Sequence, residues 1–535
     1  MWSHKRQNSV AGISGRLLLG FFFGVSSCFV LNGQAITGDL TVNVTDQNGA
    51  VVPNAKLELE NSQAGISLSA ESNSVGSHTF SQLRPGSYSL NVTAPGFQAQ
   101  HVTDIALQLA QRANVNVTLT VGQLSQTVDV SAAAETLLNT ESATAGQVLQ
   151  EHAIQNLPLN GRNFIQLAQL SAGAAPIGTG NSPATTWTGR TDQTLSIQGL
   201  RESNVSYLVN GIETRNARFG NAGIRPDPDA IQEFNVQRGF FTPDFGGSAA
   251  IINTTLRAGT NSLHLTAFEL ARNKVFDAND YFANAAGQPL PPFVQNQFGA
   301  TASGPVVLPK IYNGRNKLFF MFNYEGFRQR EGNNYTGLYP STGQLAGNLA
   351  DNSAGTGLFP TNSAFCQANA ASAHCVDIIN PATNQPFPGN VIPGSLLNPV
   401  SQKAIQFTPT PNVPVSPNAL SFPKFNTFAS PKTINDFDQY NVRLDYQLGS
   451  RDSLYGSYSN SNEPLFVPAI QPLGGTNNPL KDQLWTATFV HSFSPTIINE
   501  FRFGHNDTST YKLEEGAGGP NYAADTFGLK NTSTN

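Results

Sequence analysis

Apolar and polar residues alternate with period two along long stretches of this 535-residue chain. Over 36–121 the alternation picks out Leu40, Val42 and Val44, then Leu57 and Leu59, then Tyr88, Leu90 and Val92, and finally Val115, Val117, Leu119 and Val121. Successive side chains of a strand point to opposite faces, so each run presents one apolar and one polar face. Turn-forming clusters separate the runs: Asp46-Gln47-Asn48-Gly49, Arg84-Pro85-Gly86 and Ala94-Pro95-Gly96. Short strands at this spacing predict a small β-sandwich.

The second half repeats the period on longer strands. Over 437–448 Tyr440, Val442, Leu444, Tyr446 and Leu448 share one face, and Gln439, Asn441, Arg443, Asp445 and Gln447 share the other. Over 317–328 Phe320, Phe322 and Tyr324 oppose Asn323 and Glu325. Further on, Trp485, Ala487 and Phe489 alternate with Thr486 and Thr488, and Phe501 and Phe503 with Glu500, Arg502 and Gly504. An aromatic-rich face opposite a polar one suits lipid outside and a wet lumen inside, as in an antiparallel transmembrane β-barrel; a large soluble β-sandwich would show the same alternation. Loop lengths favour the barrel. Tight turns at 449–452 and 493–495 alternate with long connections, the longest an excursion over about 329–436. Short turns on one side and long loops on the other are the barrel arrangement. About seven strands are visible, against roughly twenty-two for a plugged lumen. The chain closes on the polar run Asn531-Thr532-Ser533-Thr534-Asn535. The sequence is therefore expected to be the N-terminal part of a longer protein, with an incomplete barrel.

Composition narrows the class. Charged residues make up 12% and aromatics 10%, so polarity comes mainly from uncharged side chains. This argues against a charge-rich disordered chain and against a helical membrane protein. A net charge of −5 gives no support to nucleic-acid binding.

The N-terminus has an export signal. Lys5, Arg6 and Arg16 precede an uncharged run over 17–31, and Gly33-Gln34-Ala35 supplies small residues, so cleavage is expected between Ala35 and Ile36. An uncleaved anchor and a lipoprotein-type box at Val25-Ser26-Ser27-Cys28 are the alternatives. Export makes a disulfide between Cys366 and Cys375, in the long excursion, the expected state of that pair; two free thiols are the other reading.

Several motifs resemble known families. Asp46-Gln47-Asn48-Gly49 through Pro53-Asn54-Ala55, the run Phe80-Ser81-Gln82-Leu83-Arg84-Pro85-Gly86-Ser87-Tyr88, and Ala94-Pro95-Gly96-Phe97 resemble the carboxypeptidase regulatory-like domain. Asn73-Ser74-Val75-Gly76 departs from it, because an acidic turn is usual there. No aromatic platform accompanies the match, which points to a periplasmic spacer over a sugar site. Gln126-Thr127-Val128-Asp129-Val130-Ser131-Ala132 resembles the energy-coupling box of TonB-dependent receptors, a segment that pairs its backbone with a partner's sheet edge; an ordinary linker strand is the alternative. Asn156-Leu157-Pro158-Leu159-Asn160-Gly161-Arg162-Asn163-Phe164 resembles the plug domain of the Oar-like TonB-dependent receptors. Ile197-Gln198-Gly199-Leu200-Arg201, Tyr207-Leu208-Val209-Asn210-Gly211-Ile212, Asp229-Ala230-Ile231-Gln232-Glu233-Phe234, Phe245-Gly246-Gly247 and Ala258-Gly259-Thr260-Asn261 continue that resemblance in order, as does Phe387-Pro388-Gly389-Asn390-Val391-Ile392-Pro393. Asn210 stands where the family usually has aspartate, so no ionic role is assigned to it.

The expectation is a mainly β protein: signal peptide 1–35, β-sandwich 36–121, coupling segment and small α+β plug 122–258, and the first part of an outer-membrane barrel 259–535. The resemblance implies a TonB-dependent receptor or transporter of the outer membrane, with the sandwich in the periplasm. Its partners would be the TonB complex, outer-membrane lipid, and an extracellular ligand that could be a siderophore, an oligosaccharide or a peptide. Gln126, Thr127, Val128, Asp129 and Val130 would carry the coupling. Two other classes are an adhesion or secretion-assisting surface protein and a carbohydrate-binding sandwich protein. No histidine opens H-E-x-x-H, no serine lies in G-x-S-x-G, and no phosphate-binding G-x-x-x-x-G-K-[ST] loop occurs. No enzyme activity, cofactor or metal is expected.

Overall fold

The structure, a computed structural model, describes residues 37–109, 111–122, 127–131, 145–177, 194–216, 220–239, 248, 250–285, 287–416, 419–449, 451–494, 497–515 and 522–529. The expected export signal with Ala35 and Ile36, Gln126 and Ala132 of the expected coupling segment, and Phe245-Gly246-Gly247 lie outside the described residues.

The first unit comprises β1 (Gly38–Asp46), β2 (Lys56–Asn61), β3 (Ile66–Glu71), β4 (Ser77–Leu83), β5 (Gly86–Thr93), β6 (Ala99–Leu107) and β7 (Arg112–Leu119). A sheet ordered β4-β1-β7 faces a second ordered β3-β2-β5-β6, which gains β8 (Thr127–Ser131) at its end. The alternation fixes the packing: Leu40, Val42, Val44, Leu57, Leu59, Leu90, Val92, Val115, Val117 and Leu119 all point into one core. Tyr88 is buried there, and its hydroxyl donates to the Arg84 carbonyl at 2.7 Å, clamping the Arg84-Pro85-Gly86 turn. The departure at Asn73 costs nothing locally. Its side-chain oxygen accepts from the amides of Val75 and Ser77, both at 3.0 Å, as a carboxylate would.

The second unit holds β9 (Ala145–Gln150), a hairpin of β10 (Ala174–Ile177) and β11 (Thr194–Ile197), then β12 (Val205–Val209), β13 (Ile212–Glu213), β14 (Ile231–Arg238) and β15 (Ala250–Leu256). Its sheet is ordered β13-β12-β15-β14-β9, with short helical turns at Glu151–Asn156 and Phe164–Leu170 packed on it. Phe164, Ile165 and Leu167 of the quoted motif are buried against Phe234, Val236 and Ile252.

The third unit is an antiparallel meander. It starts with β16 (His264–Asn273), β17 (Phe293–Pro305), the small hairpin β18 (Val307–Leu308) and β19 (Tyr312–Asn313), and β20 (Leu318–Gly332). The excursion follows, with β21 (Tyr335–Gly337) paired to β24 (Thr427–Ala429) and β22 (Ile379–Asn380) paired to β23 (Gln385–Pro386). Then come β25 (Lys432–Gln447), β26 (Asp452–Glu463), β27 (Leu465–Val467), β28 (Thr476–Asn477), β29 (Leu480–Ser494) and β30 (Ile497–Thr510). The long strands are ordered β16-β17-β20-β25-β26-β29-β30. Their exposure follows the alternation: Tyr440, Leu444 and Trp485 lie outside, and Phe501 is 65% exposed, while Gln439, Asn441, Arg443 and Asp445 are buried inside. None of the described helices is long and apolar enough to cross a membrane.

Two details differ from the sequence reading. Strand β25 begins at Lys432, not near 437, because Thr433 and Asn435 continue the ladder against Glu331 and Gln329. The inner face also carries apolar residues. Met321 of β20 packs with Val209, Ile224, Ala230, Leu256 and Leu484. The interior at that level holds the second unit, so an apolar side chain there is sheltered from water.

Within the excursion, Cys366 and Cys375 form a disulfide with Cα atoms 5.6 Å apart. The Pro388-Gly389-Asn390 turn has φ of +64° at Gly389 and +55° at Asn390. It delivers the buried Asn390 amide to the carbonyls of Leu358 and Val376 at 2.8 and 2.7 Å, so this motif pins the excursion together.

Candidate functional site

The candidate site is the junction where the three units meet, together with β8. Strand β8 is short and β-branched at Thr127, Val128 and Val130, a composition that favours extended backbone. It is not a free segment. It runs parallel to β6, with Ala99, Gln100, His101, Val102 and Thr103 in register with Thr127, Val128, Asp129, Val130 and Ser131. Asp129 contacts His101 Nδ1 at 3.0 Å, and the Ser131 hydroxyl donates to Asp104 at 3.1 Å. Among the described residues β6 is the only strand paired with β8, so its other edge is open. Sequence pattern identifies the strand but not its neighbour, because the parallel partner lies across a crossover.

Among the described residues, hydrogen bonds from both sides fasten the sandwich to the plug-like unit. The Leu109 amide donates to the Glu233 carboxylate at 2.7 Å, and the Gln232 amide donates to the Pro85 carbonyl at 2.9 Å. Burial pushes the Glu233 carboxyl up to about 7, against the opposing effect of the Leu109 N–H. A raised carboxyl keeps its proton in the folded state after the free group has lost it. Stability is therefore greatest below the ordinary value of 4.5, falls as pH rises to about 7 and is level above that. The fall is at most about 3 kcal/mol. We expect the exchange protection of the Leu109 amide, corrected for intrinsic pH dependence, to decline across that window. Glu233→Gln should flatten the decline while keeping an acceptor for Leu109; a profile equal to that of the parent would refute the assignment.

The sandwich also reaches the barrel wall. Arg84 lies 3.0 Å from Asp445 of β25, and its guanidinium stands over the Tyr455 ring at 5.5 Å. Arg443 holds the same carboxylate through two bonds of 2.9 Å and donates to the Leu256 carbonyl at 2.6 Å. One carboxylate thus joins an arginine of the sandwich to an arginine that grips the end of β15. The junction lies near the tight turn between β25 and β26, at the opposite end of β25 from the excursion. Sequence reading placed Arg443 and Asp445 on the inner face but missed Arg84 as their partner. Two opposite charges on the inner face of one strand were the available signal.

The quoted plug motif builds a second lock. Gly161 and Arg162 both have left-handed backbone, φ +61° and +53°. The turn aims the Arg162 guanidinium at Asp227 and Asp229, 2.8 and 2.9 Å away, and over the Phe268 ring of β16 at 4.0 Å. Burial and the neighbouring Asp227 push the Asp229 carboxyl up, with Arg162 opposing. Asn210 acts as a neutral amide: it donates to Ser457 of β26 at 2.9 Å and accepts from the Leu256 amide at 3.0 Å. Arg225 pairs with Glu463 at 3.2 Å. Gly504 of β30 lies against Ile212, where a Cβ would come within 2.4 Å of that side chain. Among the described residues no cluster of three or more His, Cys, Asp or Glu could hold a metal ion.

This geometry is a wall of β-strands holding a separate α+β unit by polar contacts and an apolar patch, with a sandwich beneath it. Residues 255–535 match the family described as outer membrane beta barrel domain, residues 138–251 the TonB-dependent receptor plug domain, and residues 39–120 the carboxypeptidase regulatory-like domain. The chain belongs to the outer-membrane β-barrel family, and it carries a plug domain and an N-terminal regulatory-like domain ahead of the barrel strands.

It is 26% identical over 250 residues to the TonB-dependent transporter Oar of Myxococcus xanthus, a match covering 44% of this chain and 22% of that protein. It is similar to the outer-membrane transporter YddB from Escherichia coli, with TM-score 0.44, 10% identity, and coverage of 70% of this chain and 40% of that one. It is also similar to the siderophore receptor PirA from Pseudomonas aeruginosa, with TM-score 0.35, 11% identity, and coverage of 70% and 42%. The chain thus spans less than half the length of these relatives.

Proposed function

We propose that this chain forms the plug and part of the surrounding wall of an outer-membrane transporter that is worked from the periplasm by the TonB complex, with 126–130 as the coupling strand. The outer membrane has no nucleotide supply, so work must arrive mechanically, through a strand that a partner can grip. The observation that supports this reading is β8: a short strand before the plug whose outer edge has no strand partner among the described residues. Open edges accept a partner's strand through backbone hydrogen bonds. The plug meets the wall through an apolar patch around Met321 and through polar contacts such as Asn210 with Ser457 and Arg225 with Glu463. Water can replace the polar contacts as the plug shifts. Lipid would surround the outer aromatic face, and the excursion would meet the extracellular ligand, whether siderophore, oligosaccharide or peptide.

Backbone pairing makes side-chain truncation mild and proline severe, because proline removes an N–H. In the full-length protein we expect Val128→Pro to weaken binding of the purified periplasmic domain of TonB by about tenfold or more, and Val128→Ala to change it little. Unchanged binding by the proline variant would show that coupling lies elsewhere in the chain.

A further inference from the structure

We propose that the sandwich is part of the docking platform: the partner's strand adds to the open edge of β8 while β8 stays on β6, extending the sheet β3-β2-β5-β6-β8 by one strand. This rests on the reading of β8 as the coupling strand and goes beyond it. The segment is here a strand of a folded domain, not a free peptide.

Three observations carry the inference. Strand β8 pairs with β6 over five consecutive residues, and its position is reinforced by the His101–Asp129 and Ser131–Asp104 contacts. The chain leading to it is tied to the segment just before β6: the Gly122 amide donates to the Gly96 carbonyl at 3.2 Å, the Gln98 amide to the Thr120 carbonyl at 2.9 Å, and the Thr120 hydroxyl to the Gln98 side chain at 2.9 Å. The outer edge of β8 has no strand partner among the described residues, and Val128 and Val130 are each 41% exposed.

These observations favour addition over exchange. Exchange must break the β6 ladder and both side-chain contacts before any new bond forms. Addition uses the edge of β8 that no described strand occupies, and the five residues are already ordered, so docking loses less conformational entropy. Addition also sets the path of force. A pull on β8 is carried by β6 into the sandwich, and from there by Leu109 and Pro85 to Glu233 and Gln232 of plug strand β14.

The test uses the full-length protein and the purified periplasmic domain of its host's TonB. His101 and Asp129 are register partners, so the H101C/D129C variant can lock β8 to β6 when oxidised. We expect oxidised and reduced forms to bind within about twofold of one another, and the Val102 amide of β6 to stay protected from exchange in the parent complex. Binding that weakens about tenfold or more on oxidation, or loss of Val102 protection in the complex, overturns in-place docking. Val128→Pro separates the two claims. If it leaves binding intact, β8 is not the coupling strand and both claims fail. If it abolishes binding while the oxidised lock also blocks it, only the in-place claim fails.

Discussion

Replacing Asp445 by alanine is expected to destabilise the junction by about 3–5 kcal/mol, the usual consequence of removing one member of a buried ion pair. Asp445 and Arg443 are both almost fully buried. The carboxylate takes two bonds from Arg443 and faces Arg84, so its loss strands two guanidinium groups. One of them belongs to the sandwich, so the sandwich should loosen with the wall. Denaturant titration with a probe on each unit should show both transitions moving to lower concentration. Arg84→Ala should cost less, because the Arg443–Asp445 pair survives it. A double-mutant cycle between Arg84 and Asp445 should give a coupling of about 1 kcal/mol or more. If Asp445→Ala matched the parent in stability, the junction would not depend on this charge cluster.

How much of this was legible in the sequence depended on how local each signal was. The wall was legible because lipid and interior impose opposite demands on adjacent residues: Tyr440 and Leu444 outside, Asn441 and Arg443 inside. The sandwich was legible for the same reason, through residues such as Leu40 and Val42. The inner apolar patch around Met321 was not, because it answers to plug residues Val209 and Leu256 that are distant in sequence. The junction was invisible for the same reason: Arg84 meets Asp445 only once two units have folded and docked. For β8 a strand and a resemblance were legible but not a neighbour, and pairing with β6 changes what a partner would encounter. Periodicity reports which face is buried, and only the fold reports what buries it.

The 535-residue chain expressed by itself is expected not to yield a stable membrane-embedded barrel. Its meander ends at β16 on one side and β30 on the other, and among the described residues neither strand has a partner on its outer edge. Strand β16 has 10 residues and β30 has 14, so each edge presents a row of unpaired N–H and C=O groups. In hydrocarbon each such group costs several kcal/mol, which is why strands cross membranes only in closed sheets. The aromatic outer face raises the pressure toward aggregation. Phe501 and Phe503 on the edge strand β30 and Trp485 on its neighbour β29 have no aqueous partner and would drive edge-to-edge association in water. The sandwich should not share this fate, because its core of Leu40, Leu57, Leu90 and Val117 closes without the wall. Expression of the chain from Met1 should therefore give aggregated or degraded material, from which proteolysis leaves a resistant piece near 36–121. A heat-modifiable, protease-resistant species of full 535-residue size in the outer membrane would show that these edges find partners, in a second copy or elsewhere in the chain, and the open meander would have to be redrawn as a closed assembly.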